Sequence, residues 1–171
     1  MAGVTANLTF DLDARFAGTD VGAGSRAINA DISRVVQFTP GNAAVGKADL
    51  MYTATRTLSA SSSEELDLAG ALADAFGATI TATEVVALVV EAAAGNTNNV
   101  VIGGAASNAF LGPFGAAAHT LAIKPGQYIA LTDVQGWAVT AGTGDLLKVA
   151  NSSSGTPVTY TITVIARSVS N

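Results

Sequence analysis

The sequence predicts an all-β protein: an antiparallel β-sandwich, jelly-roll-like, with an N-terminal arm. Three observations predict it. Val158, Tyr160, Ile162 and Val164 alternate with Thr159, Thr161, Thr163 and Ile165, and this period of two marks a half-buried strand. Short apolar or Thr-rich runs recur between Gly, Pro and Asn turns, the punctuation of a sandwich or barrel. No strand–helix–strand alternation is present, which argues against a parallel α/β design.

Composition narrows the class of function. The chain of 171 residues fits one domain and can bury a core without disulfides or a metal. It has no cysteine, so a disulfide scaffold, a thiolate metal site and a cysteine nucleophile are excluded together. Charged residues make up 12% of the chain, about half the usual share, while Ala, Gly, Ser and Thr abound. Such a surface suits a protein covered in an assembly, and equally an ordinary β-domain with a Thr/Ser-rich exterior. The net charge is −5, and the eight basic residues, among them Arg15, Arg34, Arg56 and Arg167, are scattered. No cluster tracks a phosphate backbone and no basic amphipathic segment suits a lipid surface, so no nucleic acid and no membrane is expected as partner. The N-terminal stretch lacks the basic and apolar regions of a signal peptide.

Taken in order, residues 1–46 predict an arm or extension with one or two strands. An apolar/polar segment over 4–16 is followed by a Gly-rich turn over 18–25, and a strand over 33–39 stops at Pro40-Gly41-Asn42. Residues 47–171 predict the sandwich. Strands are expected over 48–58, 64–68, 85–92, 100–102, 119–123, 127–131, 146–150 and 158–165. The run 85–92 is apolar without clean alternation, as for a strand covered on both faces. Leu68, Leu72 and Phe76 at four-residue spacing predict one or two helical turns closed by Gly77. Residues 103–117 form a long Gly/Ala loop carrying Phe110, Pro113 and Phe114.

Chemistry is sparse. His119 is the single histidine and predicts a strand-edge residue, not half of a metal site or a triad. Glu64-Glu65-x-Asp67 is the one dense acidic group. Paired carboxylates at about 5 or 6.5–9.5 Å can hydrolyse a glycoside, and oxygen ligands can hold calcium, but a solvated turn or a charge contact explains the group without either. Gly142-x-Gly144 and Gly103-Gly104 lack the context of a phosphate loop. Asn7-Leu8-Thr9 and Asn151-Ser152-Ser153 match a glycosylation sequon by coincidence. No catalytic, cofactor or metal residue is assigned, and no enzyme activity is expected. Large apolar residues in a loop are costly if exposed, so Phe110 and Phe114 either cap the open end of the sandwich or anchor an interface. The candidate contact residues are Phe10, Phe16, Arg34 and Phe38 on the arm, with Phe110 and Phe114 in the loop.

The order of segments then carries a resemblance. Ala48-Asp49-Leu50 through Thr55-Arg56-Thr57-Leu58, Leu66-Asp67-Leu68 with Leu72 to Gly77, Glu91-Ala92-Ala93 with Asn96 to Val100, Lys124-Pro125-Gly126, Trp137-x-Val139-Thr140 and Asp145 to Asn151 together resemble small virion proteins of tailed bacteriophages, in particular capsid decoration or cement proteins. The resemblance covers roughly residues 48–168. It implies a β-rich protein that binds and reinforces the outside of an icosahedral shell, with the major capsid protein and its own copies, often as a homotrimer, as partners. It implies no catalytic residues. Other readings are a tail or head–tail joining protein, and a carbohydrate- or receptor-binding module with Trp137, Tyr128 and Tyr160 as a platform.

Overall fold

The structure, a computed structural model, describes residues 3–18 and 27–170. Its centre is a stack of antiparallel pairs nested one inside the next. Strand β4 (Leu50–Leu58) pairs with β11 (Val158–Arg167), β5 (Ser63–Asp67) with β10 (Leu146–Asn151), β6 (Glu84–Ala92) with β9 (Tyr128–Ala138), and β7 (Val100–Gly103) with β8 (Thr120–Ile123). Successive pairs alternate between two sheets, ordered β5-β10-β7-β8 and β4-β11-β6-β9. This is one long hairpin rolled up: eight strands in two sheets, the jelly-roll arrangement.

Side-chain alternation explains the two layers. Val158, Tyr160, Ile162 and Val164 point inward and are buried. They meet Leu66, Leu147, Val149, Val100 and Ile102 of the facing sheet in one core. Their Thr neighbours point outward, where β-branching favours the strand and the hydroxyl meets solvent. Strand β6 is covered on both faces: Leu88 and Val90 join the main core, while Val86 and Ala87 join a second cluster with Phe38, Ala48 and Ile165.

That second cluster exists because of the N-terminal segment. Strands β1 (Ala6–Ala17) and β2 (Ala27–Pro40) form an antiparallel ribbon in register from Ala6↔Phe38 to Ala17↔Ala27. At its root, β2 runs parallel to the short β3 (Lys47–Ala48), and the Val4 and Gly41 amides donate to the Ala48 carbonyl at 3.1 and 3.2 Å. Residues 1–46 therefore divide in two. The root is part of the folded core, with Phe38 fully buried. Every described residue from Thr9 to Gly18 and from Ala27 to Val35 is exposed. The remainder of the Gly-rich turn expected over 18–25 lies outside the described residues.

Arg167 locks the root to the sandwich. Its guanidinium is fully buried, donates to Glu84 Oε2 from Nε at 2.8 Å, and reaches the Ala44 carbonyl at 2.7 Å as well as those of Val134 and Gln135. Gly136, with φ of 97°, leaves room for it: a Cβ there would stand 2.7 Å from Arg167 Nη2 and 2.9 Å from Glu84 Cβ.

One local expectation is corrected. The segment 68–77 is not helical; it is a series of turns with an Ala73↔Thr79 bridge. Leu68, Leu72 and Ile80 enter the core, and the Asp74 carboxylate accepts the Phe76 and Ala78 amides at 2.8 and 2.9 Å. A short acidic side chain thus takes the backbone donors that a helix would have used. The loop 103–117 contains one 3₁₀ turn, Gly112–Phe114.

Candidate functional site

The feature that the sandwich does not consume is the outer part of the β1–β2 ribbon. Its register places Ala6, Leu8, Phe10, Leu12, Ala14 and Phe16 of β1 on one face with Phe38, Val36, Arg34, Ile32, Ala30 and Ile28 of β2. Among the described residues Arg34 is the one charged residue on that face. The other face carries Asn7, Thr9, Asp11, Asp13 and Arg15 opposite Gln37, Val35, Ser33, Asp31 and Asn29. At about 3.4 Å per residue, the stretch from Phe10 to Ala17 extends roughly 24 Å.

The apolar face is covered at the root and bare beyond it. Ala6, Leu8, Val36 and Phe38 pack on Val86, Ala87 and Ile165. Further out, Phe10, Phe16 and Ile28 are 58%, 74% and 71% exposed, and Leu12 and Ile32 are also exposed. Where the ribbon lifts off the sheet, Phe10, Arg34 and Val36 face Tyr128, Ala130 and Thr132 across a groove of about 240 Å³. A monomeric surface seldom shows an apolar patch of more than a few hundred Å², and a two-stranded ribbon is marginal in water without a covering layer.

The sheet surface beneath the ribbon is a regular grid. Outward residues stand in rows across β4, β11, β6 and β9: Met51–Ile165–Ala87–Thr132, then Thr53–Thr163–Val89–Ala130, then Thr55–Thr161–Glu91–Tyr128. The row Thr57–Thr159 completes it. Facing Thr hydroxyls hydrogen-bond to one another at 3.0, 2.9 and 3.0 Å for Thr53–Thr163, Thr55–Thr161 and Thr57–Thr159. Glu91 is the one charged residue in these rows.

The polar clusters are tied into the fold by hydrogen bonds. Glu64 accepts from Arg56 and, at 2.7 Å, from the Tyr160 hydroxyl, while Arg56 also donates to Tyr52 Oη at 3.3 Å. Burial by itself would raise the Glu64 carboxyl; the hydrogen bonds from Arg56 and Tyr160 and the Arg56 charge outweigh it and hold Glu64 below its ordinary value. Burial, reinforced by Glu64, pushes the Tyr160 phenol well above its ordinary value. Glu64 and Glu65 are adjacent on β5 and point to opposite faces, with Glu65 in register with Lys148, so they do not flank one cleft. Asp67 accepts the Ala69 amide. Among the described residues no three His, Cys, Asp or Glu side chains gather as a metal site, so the calcium reading of 64–67 gains no ligand set. His119 Nδ1 lies 2.6 Å from the Phe114 carbonyl oxygen, a loop contact. Asn151 is buried, with its amide donating to the Ser59 and Thr156 carbonyls, which makes its sequon inaccessible.

The candidate contact residues fall into two groups. Phe10, Phe16 and Arg34 lie on the exposed ribbon face. Phe38 is corrected to a core position, and Phe110 and Phe114 are buried in the main core, in line with the capping alternative and not the contact one. The Gly/Ala loop folds back because Gly103 and Gly112 let the two rings approach the backbone closely. The carbohydrate platform is also corrected. Tyr160 is buried in the core, Tyr128 stands on the outer sheet face, and Trp137 lines a separate groove of about 480 Å³ that holds no titratable side chain. Sequence reasoning missed Leu12, Ile28 and Ile32, and it put Tyr128 on a carbohydrate platform instead of beside the ribbon. The first three were accessible through the period-two pattern, which runs from Leu8 to Phe16 and from Ile28 to Phe38.

No family model, no curated protein and no solved structure matches this chain.

Proposed function

We propose that this protein is a non-enzymatic structural subunit of a virion, a decoration or cement protein that binds the outer surface of a tailed-phage capsid through the major capsid protein. The observation that carries the reading is the projecting amphipathic ribbon, whose apolar face is packed at its root and bare for the rest of its length. An element of this kind gains stability only when a second surface covers it, which is the design of an assembly subunit. The jelly roll supports the reading by analogy, because viral capsid domains use it, though lectins and cupins do as well. Low charge and the resemblance over residues 48–168 point the same way. Many equivalent shell sites would give avidity to contacts that are weak one by one.

The test is cosedimentation with shells of the phage that encodes the chain. The full chain should sediment with the shell. A variant in which residues 10–34 are replaced by an Asn-Gly turn should stay in the supernatant while keeping its β circular dichroism. Failure of the full chain to bind, or equal binding by the shortened one, would overturn the proposal.

A further inference from the structure

We infer that the bare face of the ribbon is covered by a second copy of this chain: it lies across the Thr-lined outer face of the β4-β11-β6-β9 sheet of a neighbouring protomer. This rests on the proposed function and deepens it: the ribbon serves shell binding by joining protomers into a multivalent unit.

Continuity is the first argument. The same ribbon face already packs on the same sheet face within one chain, with Leu8, Val36 and Phe38 over Val86, Ala87 and Ile165. The chemistry of that contact therefore suits both surfaces. The ribbon root covers the grid around Ile165 and Ala87, and β4 and the outer β11 positions remain open.

The open part of the grid is prepared for covering. The three Thr pairs hydrogen-bond across the strands, so each of these hydroxyls already has a partner. Desolvating hydroxyls that already have a partner costs less than desolvating free ones. Met51, 42% exposed, extends the apolar character at one edge.

Charge supplies the register. Among the described residues Arg34 is the one charged residue on the ribbon face and Glu91 the one in the rows of the sheet face. Both are exposed, and among the described residues neither belongs to an ion pair; Arg34 Nη1 donates to the neighbouring Ser33 carbonyl at 2.8 Å. A single opposite pair on two otherwise uncharged surfaces fixes alignment more than it adds affinity.

Area sets the form of the oligomer. With 150–250 Å² for a whole aromatic side chain, Phe10, Leu12, Phe16, Ile28 and Ile32 expose roughly 500 Å², so one ribbon–sheet contact buries about 1,000 Å² over both partners. That is the lower limit for a stable interface, and a two-fold exchange, which joins two such contacts in one interface, reaches the standard range of about 1,200–2,000 Å². Donor and acceptor surfaces differ, so each copy gives a ribbon and receives one, in a two-fold exchange or a closed ring.

The experiment is the solution mass of the full chain by sedimentation equilibrium over low to high micromolar concentration. A closed oligomer is expected. Phe16→Ser with Ile28→Ser, at exposed positions, should give a folded monomer, and Thr55→Lys on the acceptor face should do the same. Arg34→Glu and Glu91→Arg should each weaken association about tenfold, and the two together in one chain should restore it. A chain that is monomeric throughout, or an oligomer indifferent to the ribbon and Thr55 variants, would overturn the inference. A monomer that nonetheless binds shells would sink this inference and leave the proposed function standing; an oligomer that ignores shells would do the reverse.

Discussion

Glu64, from the one dense acidic group of the sequence, is held by hydrogen bonds from two other strands. Its carboxylate joins Arg56 on β4, Tyr160 on β11 and its own strand β5, so it ties the two sheets together. Glu64 has a folded value below the ordinary 4.5, so its contribution to stability is complete above that pH and is lost as pH falls through the lower folded value. Acid unfolding of Glu64→Gln should therefore be shallower below pH 4.5 than that of the parent, while at neutral pH the variant should be less stable by about 1–3 kcal/mol, measured by urea titration. Arg167 is the more stringent case. It is fully buried with four partners, and Arg167→Met leaves Glu84 buried without its cation, so a loss of about 3–5 kcal/mol is expected. Gly136→Ala should destabilise the protein by about 1–3 kcal/mol through the same cluster, seen as a lower melting temperature, because φ is positive and the new methyl meets Arg167.

At the scale of the element, the ribbon and the sandwich have different physics. Strands of the sandwich have facing layers, and their hydrogen bonds lie inside two sheets. Beyond Thr9 and Val35 the ribbon has only its own ladder. Its polar face even sets Asp13 directly opposite Asp31, a like-charge pair that weakens the isolated ladder. Amide exchange should consequently be fast in residues 10–17 and 27–34 of an isolated protomer and slow in β6 and β11, which lie within a sheet between neighbouring strands. Association through the ribbon should slow exchange in the ribbon selectively. Equal protection of ribbon and sandwich in a monomer would contradict this account.

The whole molecule is a nested fold whose outermost pair, β4 with β11, joins residues about a hundred positions apart, as in Thr53↔Thr163. Such pairing closes late and slowly, and refolding in milliseconds to seconds is expected by stopped-flow fluorescence of Trp137, against the microseconds of local folds. The same nesting places the ribbon root over β6 and β11 at the molecular centre. The arm is thereby packed at its root, while its described outer residues carry a bare apolar face.

Much of this was legible in the sequence. Alternation located β11, the continuous apolar run marked β6 as doubly covered, and Gly, Pro and Asn placed most turns, because these signals act within a few residues. The absence of cysteine and the single histidine bounded the chemistry before any coordinate was known. Tertiary structure alone decided the rest. Leu68, Leu72 and Phe76 had helical spacing, yet Asp74 captured the local amides and turned Phe76 outward, 93% exposed. Phe38, Phe110 and Phe114 were as aromatic as Phe10 and Phe16, but burial depends on what packs from distant segments, not on residue type. A period of two states that a ribbon has an apolar face. Only the pairing of that ribbon with β6 and β11 states how much of the face is covered, and leaves Phe10 to Phe16 and Ile28 to Ile32 uncovered.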